Sequence, residues 1–137
     1  MTQKGDPLPT IERVVTQDQI EKYARASGDF NPIHIDHDFA ASTQFGGTIA
    51  HGMMVAATIS EMMTAAFGRN WAESGSMKIR FRSPVKPGQR ITTQGSVRRV
   101  DAAEGIKRIS CTVSVVKDDG ETAIAGQAEV RLSAGSK

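Results

Sequence analysis

One segment of the chain, residues 53–67, restricts the possible folds more than any other. Apolar side chains fill nearly all of it, and its polar residues are Thr58, Ser60, Glu61 and Thr64. A helix without a wide polar face is normally surrounded by the rest of the protein. We therefore expect an interior helix that begins at His51-Gly52 and ends at Gly68. The segment is too short to cross a bilayer, which takes about 20 apolar residues.

After this helix the sequence changes to an alternation of apolar and polar residues. The alternation is regular over residues 77–81, 109–115 and 124–132, and it is weaker over residues 90–100. Such alternation is typical of antiparallel strands that place one face on a core and the other in water. Asp118-Asp119-Gly120 has the composition of a hairpin turn between two of these strands.

The beginning of the chain predicts shorter elements. A strand is expected over residues 10–15 and a helix over residues 17–27. Thr16 and Gln19 have the spacing of a capping box, which begins a helix, and Gly28 is a stop signal. Helices first and strands last indicate the α+β class, with an antiparallel sheet wrapped against one central helix.

Length, charge and cysteine content narrow the function classes. The 137 residues fit a single domain, residues 1–137, with a core over about residues 10–132. Lys and Arg number 17 and Asp and Glu 15, and this net charge of +2 argues against a nucleic-acid-binding protein. Cys111 is the only cysteine, so no intrachain disulfide can form and a reducing compartment is expected. Because the first ten residues lack the apolar stretch of a signal peptide, we expect a cytoplasmic protein with no membrane partner.

Candidate catalytic residues lie between the two predicted helices. Asp29 and His34 place a carboxylate and an imidazole five residues apart across a turn that contains Pro32. Such a pair can hold one water, as general acid–base catalysis requires, and the unperturbed histidine pKa of about 6.5 lies near neutral pH. The alternative is structural, because Asp, Asn and Pro are ordinary turn residues and His34 can be a buried histidine with satisfied hydrogen bonds.

The start of the apolar helix is a second candidate site. A backbone N–H at Gly52, supported by the positive end of the helix dipole and free of a Cβ, can bind a carbonyl oxygen that becomes negative during a reaction. The alternative is that Gly52 only allows close packing. Ser60 either lines the same cavity or bonds back to a helix carbonyl.

Two further groups of residues admit more than one interpretation. The run His34-Ile35-Asp36-His37, completed by His51, offers ligands that zinc accepts. However, Asp36 suits the cap of a short helix through Ala41, and we expect His37 to face solvent.

The methionine pairs at residues 53–54 and 62–63 are expected to fill the core, with an adaptable acyl tunnel as the alternative. Lys78, Arg80 and Arg82 form the polar face of a strand, which is usually solvated but can also attract a phosphorylated carrier.

Three motifs in this order resemble those of a known family: residues 26–34 (ASGDFNPIH), 49–53 (IAHGM) and 77–85 (MKIRFRSPV). Over about residues 10–132 the chain is similar to single-domain MaoC-like hydratases of the (R)-specific enoyl-CoA hydratase type. The resemblance implies the hot dog fold, in which an antiparallel sheet wraps a long central helix. It also implies a homodimer that pairs two sheets edge to edge, with further assembly left open.

The resemblance assigns a role to each candidate residue. Asp29 and His34 would activate a water that adds to the β-carbon of a trans-2-enoyl thioester, and the Gly52 N–H would polarise the thioester carbonyl. Ser60 aligns with a hydroxyl that supports the catalytic pair in related enzymes. Supporting positions are therefore assigned to Asn31, Ser60 and His51.

The expected activity is the reversible hydration of a 2-enoyl-CoA to an (R)-3-hydroxyacyl-CoA without a metal or redox cofactor, coenzyme A being part of the substrate. One alternative is a dehydratase that acts on acyl-carrier-protein thioesters. A hot dog thioesterase and a non-catalytic acyl-thioester-binding subunit that needs a partner are the others. The preferred acyl chain is not predicted.

Overall fold

Ten elements follow one another in a computed structural model that describes residues 2–133. In chain order they are β1 (Glu12–Val14), α1 (Gln17–Ser27), α2 (Pro32–Ile35), α3 (His37–Ala41), α4 (Gly52–Phe67), α5 (Arg69–Ser74), β2 (Ser76–Phe81), β3 (Arg90–Ala103), β4 (Ile106–Lys117) and β5 (Thr122–Ser133). The predicted order of strand, helix, loop, apolar helix and four strands is confirmed.

Helix α1 begins and ends where its local signals predict. The Thr16 hydroxyl accepts the Gln19 N–H, and the Gln19 side chain accepts the Thr16 N–H, so both halves of the capping box form. Gly28 ends the helix in the left-handed region with φ 78°, which a residue without a Cβ adopts at little cost.

The five strands form one antiparallel sheet in the order β1-β3-β4-β5-β2. The turn predicted at residues 118–120 joins β4 to β5, and this hairpin aligns Val113 with Gly126 and Val115 with Ile124. Strands β1 and β2 lie at the two edges. One face of the sheet packs against α4 through β3, β4 and β5.

Helix α4 is buried on one side only, which corrects the expectation that it would be surrounded. Ile59, Met62 and Met63 are fully buried against the sheet. Met53, by contrast, is 61% exposed, and Ala57 also faces out. The reason is geometric, because a single sheet covers only one side of a helix that lies in its curve.

Cys111 lies in the core, as its position on the apolar face of a strand predicts. Burial raises the pKa of this thiol to about 11, because the interior disfavours the thiolate. The cysteine is therefore a small core residue and not a nucleophile. The expected reducing, cytoplasmic compartment stays a prediction.

Two short helices were not anticipated from the sequence. In α2, Pro32 occupies a first-turn position, where its missing N–H is not needed, and the Asn31 side chain caps the helix by accepting the Ile33 N–H at 3.1 Å. The turn expected at residues 28–32 therefore leads directly into a helical turn. Helix α5 follows α4 directly after Gly68.

The short helix predicted after Asp36 is confirmed as α3. The Asp36 carboxylate accepts the Phe39 N–H at 3.0 Å and so caps the helix. His37 is exposed, as expected. No helix within residues 2–133 has the length and apolar character of a membrane span.

Candidate active site

Asp29 lies in the exposed turn between α1 and α2. Its carboxylate accepts the Asn31 N–H at 3.2 Å, and its own N–H is donated to the Ser27 hydroxyl. These local bonds shape the turn and leave the second carboxylate oxygen without a protein donor among the described residues. Asn31, predicted to support the site, caps the helix that carries His34.

His34 is held by the segment that precedes α4. Its Nδ1 lies 2.8 Å from the backbone oxygen of Ile49, and the Ile49 N–H in turn donates to the Ile33 oxygen at 3.2 Å. A carbonyl oxygen only accepts, so Nδ1 must carry a hydrogen, and in the neutral ring Nε2 then presents its lone pair. With this tautomer, the free nitrogen of His34 can act as a base.

His51 contacts both catalytic candidates. Its Nε2–H donates to the backbone oxygen of Asp29 at 2.9 Å, and its ring stacks on that of His34 with centroids 3.8 Å apart and planes 24° apart. The ring of Tyr23 lies 4.8 Å away from that of His51. His51 is predicted to support the site. Its side chain holds the backbone oxygen of Asp29 and packs against the ring of His34.

The Nδ1 atom of His51 is buried and has no hydrogen-bond partner among residues 2–133. Buried polar atoms in proteins are nearly always paired, and leaving one unpaired costs about 1–3 kcal/mol. This free-energy cost falls on a residue that contacts both Asp29 and His34.

Ligand atoms of Asp29, His34 and His51 all lie within 4.8 Å of one another. Two groups at that separation can each form a hydrogen bond of about 2.8 Å to the same water. The structure therefore brings the predicted carboxylate and imidazole together in an arrangement that can hold a single water between them.

The same three side chains are the candidate ligands if a metal were bound here. One nitrogen of each histidine is already engaged, since His34 Nδ1 donates to the Ile49 oxygen and His51 Nε2 donates to the Asp29 oxygen. The run from His34 to His37 is also divided, since Asp36 caps α3 and His37 faces away into solvent. The absence of a metal stays a prediction.

A cavity of about 280 Å³ lies between α2, the start of α4 and the segment after β2. His34 and Gly52 line it together with Phe45, Phe81 and Val85. Asp29 does not belong to this lining, although it is exposed and its carboxylate lies within reach of His34. The expectation that both side chains would enter one cavity thus holds for His34 but not for Asp29 in a single chain.

Gly52 is the first residue of α4, and within residues 2–133 its N–H has no acceptor. The first N–H groups of a helix are left free by the helical pattern, and the dipole makes them attractive to negative charge. A Cβ built on Gly52 would lie 2.9 Å from Cε1 of Phe81. The missing Cβ therefore lets the Phe81 ring pack directly against the start of α4, which is the close packing expected as the alternative, and the Gly52 N–H stays without an acceptor among the described residues.

Ser60 is not brought to this site. It lies eight residues after Gly52, about 12 Å along the helix, and it does not line the cavity that His34 and Gly52 share. A larger cavity of about 440 Å³ lies between β1, α1 and α4 and is lined in part by Tyr23 and Met54. It contains none of the catalytic candidates, so we place the site in the smaller cavity.

Several site residues could not be identified from the sequence. Phe45 belongs to a loop without periodicity, and Val85 contributes a backbone oxygen that accepts the Ala50 N–H at 2.7 Å. The alternation of β2 places Phe81 on the same face as Met77, but nothing in it indicates that the ring covers Gly52.

Comparisons with known proteins agree with this geometry. Residues 2–120 match the family model described as MaoC like domain. The chain is 30% identical to a 3-hydroxybutyryl-CoA dehydratase of Methylorubrum extorquens, over 89% of this chain and 76% of the relative. It is also 30% identical to an (R)-specific enoyl-CoA hydratase of Aeromonas caviae, over 83% of this chain and 84% of the relative.

Solved structures extend the similarity to the fold. An R-hydratase from Pseudomonas aeruginosa superposes with a TM-score of 0.80 and 26% identity, over 98% of this chain and 88% of the other. The (R)-hydratase from Aeromonas caviae superposes with a TM-score of 0.79 and 25% identity, over 93% and 95% of the two chains. The fold is the hot dog fold that the sequence motifs imply. With its family match over most of the chain, this protein belongs to the MaoC-like domain family.

Proposed function

We propose that the protein catalyses the reversible addition of water to a trans-2-enoyl-CoA, which yields an (R)-3-hydroxyacyl-CoA. The observation that carries the proposal is the placement of the Asp29 carboxylate within 4.8 Å of an imidazole nitrogen of His34, beside a cavity that also holds Gly52. The names of relatives support the proposal, since they describe an enoyl-CoA hydratase and dehydratases of 3-hydroxyacyl thioesters.

In the proposed reaction Asp29 and His34 orient one water by accepting its two hydrogens. As the water oxygen bonds to the β-carbon, His34 Nε2 removes one proton and the electrons of the double bond move toward the thioester carbonyl. The protonated His34 then delivers that proton to the α-carbon and returns to its neutral form, so that one water is added and one double bond is consumed. His51 keeps both groups in place through its bond to Asp29 and its stacking on His34.

Negative charge develops on the thioester oxygen during this addition. The free N–H of Gly52, at the positive end of a sixteen-residue helix, is suited to stabilise it. The reaction neither oxidises nor reduces the substrate overall, and the base and the oxyanion donor are protein groups. We therefore propose that no metal or redox cofactor takes part, with coenzyme A entering only as part of the substrate.

A homodimer is the second part of the proposal. The outer edge of β2 pairs with no strand among the described residues, and Met53 and Phe81 are exposed near that edge and the cavity. A second copy that pairs along β2 would protect this edge and cover the open side of α4. Light scattering after size exclusion tests this, and we expect Met53→Glu to shift the mass toward the monomer.

A spectrophotometric assay tests the activity. Purified protein is mixed with enoyl-CoA substrates from crotonyl-CoA to longer chains, and the loss of the conjugated double bond is followed. In the reverse direction, (R)-3-hydroxyacyl-CoA should be dehydrated and the (S)-isomer left unchanged. Release of free thiol without loss of the double bond would instead identify a thioesterase. Activity only after a second, different chain is added would identify an accessory subunit.

Dehydration of acyl-carrier-protein thioesters is the second candidate. A relative from Mycobacterium tuberculosis, 32% identical over 88% of this chain, is named 3-hydroxyacyl-thioester dehydratase Z, a name that leaves the carrier open. Lys78, Arg80 and Arg82 are exposed, and none has a carboxylate partner within residues 2–133, which suits an anionic carrier. Rates on the same acyl group carried by CoA and by carrier protein separate the two candidates.

A further inference from the structure

We infer that Gln17, at the start of α1, is a positioning residue that fixes His34 in the catalytic site. The inference rests on the proposed function, because it assigns His34 the role of the base. Its structural support is a set of hydrogen bonds that joins three separate parts of the chain: α1, α2 and the segment before α4.

Both the nitrogen and the oxygen of the Gln17 side-chain amide form hydrogen bonds. Its Nε2–H donates to the backbone oxygen of His34 at 2.9 Å, and its Oε1 accepts the hydroxyl hydrogen of Thr48 at 2.7 Å. Thr48 is 5% exposed and Gln17 is half-buried, so neither bond is readily replaced by solvent. A weaker contact of 3.4 Å joins the same amide nitrogen to Glu21.

The His34 backbone needs this external partner. Helix α2 has only four residues, so its last carbonyl oxygens have no helical N–H to accept. Ile33 is bonded to the N–H of Ile49, and the ring of His34 is bonded to the oxygen of Ile49. Gln17 binds the backbone oxygen of His34. Hydrogen bonds therefore fix His34 at its ring and at its own backbone, and they fix the backbone of the preceding residue, Ile33.

Only an amide can serve both partners at once. The carbonyl oxygen of His34 needs a donor, and the hydroxyl of Thr48, which donates its hydrogen, needs an acceptor. A carboxylate at position 17 would still accept from Thr48 but could not donate to His34, and its charge would face a carbonyl oxygen. The substitution Gln17→Glu therefore removes the bond to His34 with almost no change in shape, and it also brings the new carboxylate close to Glu21, an effect that Thr48→Val does not share.

Catalysis is sensitive to such a change because displacements of about 1 Å in a reacting group can cost about a hundredfold in rate. We expect Gln17→Glu to lower kcat about tenfold while KM stays within about twofold, since the cavity lining is unchanged. A residue needed only for folding would lower the melting temperature and leave kcat of the folded protein unchanged.

The matched control is Gln19→Glu. It makes the same chemical change in the same helical turn, adds the same charge near the helix N-terminus and preserves the capping box with Thr16. It does not touch His34, so kcat and KM should equal those of the unaltered protein.

Thr48→Val is a second variant that removes the hydroxyl orienting the amide, and we expect a smaller decrease of kcat in the same direction.

Side-chain nitrogen resonances of His34 give a readout that does not depend on turnover. In the unaltered protein and in Gln19→Glu, they should report hydrogen on Nδ1, while Gln17→Glu should shift them toward a mixture of tautomers. Unchanged kcat and unchanged His34 resonances in Gln17→Glu and Thr48→Val would overturn the inference. If the unaltered protein hydrates no enoyl thioester, the proposed function fails, and the resonances still decide whether Gln17 positions His34.

Discussion

The sheet with α4 and the segment of residues 28–51 are held together in different ways. In the first region, Ile109, Val130 and Met62 are fully buried, and apolar packing supplies the stability. In the second region, α2 and α3 bury only His34 and Ala40. Hydrogen bonds between side chains and backbone hold this segment in place.

This difference separates stability from function. A scaffold that is stable by itself can carry a polar segment whose geometry serves chemistry, and such segments carry much of the function in proteins. The exposed carboxylate of Asp29 lies in the polar region, and the Nδ1 of His51, which has no partner among residues 2–133, lies at its end. Changes in the two regions should therefore have opposite signatures, one in activity and the other in stability.

The sharpest test of this separation is Asp29→Asn. The amide oxygen can still accept the Asn31 N–H, but an uncharged amide orients and polarises the water far less well than the carboxylate, so we expect turnover to fall by about 100- to 10,000-fold. Because the side chain is exposed, the free energy of unfolding should change by less than about 0.5 kcal/mol. Rates on crotonyl-CoA and denaturant unfolding measure the two effects. Asp38→Asn, a change of another exposed carboxylate in the same segment, is the control and should retain activity.

Ile109→Ala tests the other region. The cavity left in the core should lower the free energy of unfolding by about 2–5 kcal/mol, while kcat of the folded protein stays within about twofold. Urea unfolding and active-site kinetics at low temperature check both. Ile106→Ala is the matched control, since Ile106 lies on the same strand and is exposed, and its loss should be much smaller. A large loss of kcat in Ile109→Ala would mean that the two regions are not separable.

Gly52→Ala examines the point where the regions meet. The added methyl group would lie beside the free N–H and against Phe81, so we expect kcat/KM to fall about 10- to 100-fold. Stability should change little, because alanine favours the helix and the exposed ring of Phe81 can move. Gly47→Ala, where a Cβ meets nothing within 4 Å, is the control. Full activity in Gly52→Ala would remove Gly52 from the proposed mechanism.

The smallest expected effect concerns pH and Cys111. The folded pKa of about 11 lies above the ordinary thiol value of 9.0, so the folded state binds the thiol proton more tightly than the unfolded state does. The stability associated with this group is present below pH 9 and is lost as pH rises toward about 11. Unfolding at several pH values checks this, and Cys111→Ala should flatten the dependence. A thiol reagent should label Cys111 at pH 8 only after unfolding.

Local sequence signals were sufficient for much of the fold. The capping box of Thr16 and Gln19, the stop at Gly28 and the alternation in the strands each act within a few residues, so they can be recognised along the chain. The spacing of Asp29 and His34 across the turn at Pro32 allowed the two side chains to meet but left a structural role open, and the resemblance of the motifs favoured the catalytic pair.

The contacts that build the site were not predictable in the same way. Gln17 with His34, His51 with Asp29 and Phe81 with Gly52 join residues that are distant in sequence, and no periodicity marks them. The exposed side of α4 was not predictable either, because the apolar character of a residue does not show which element covers it. The amino-acid sequence therefore determined the elements and the chemistry available, and only the tertiary structure decided which groups meet, because chain folding sets distances that local pattern does not contain.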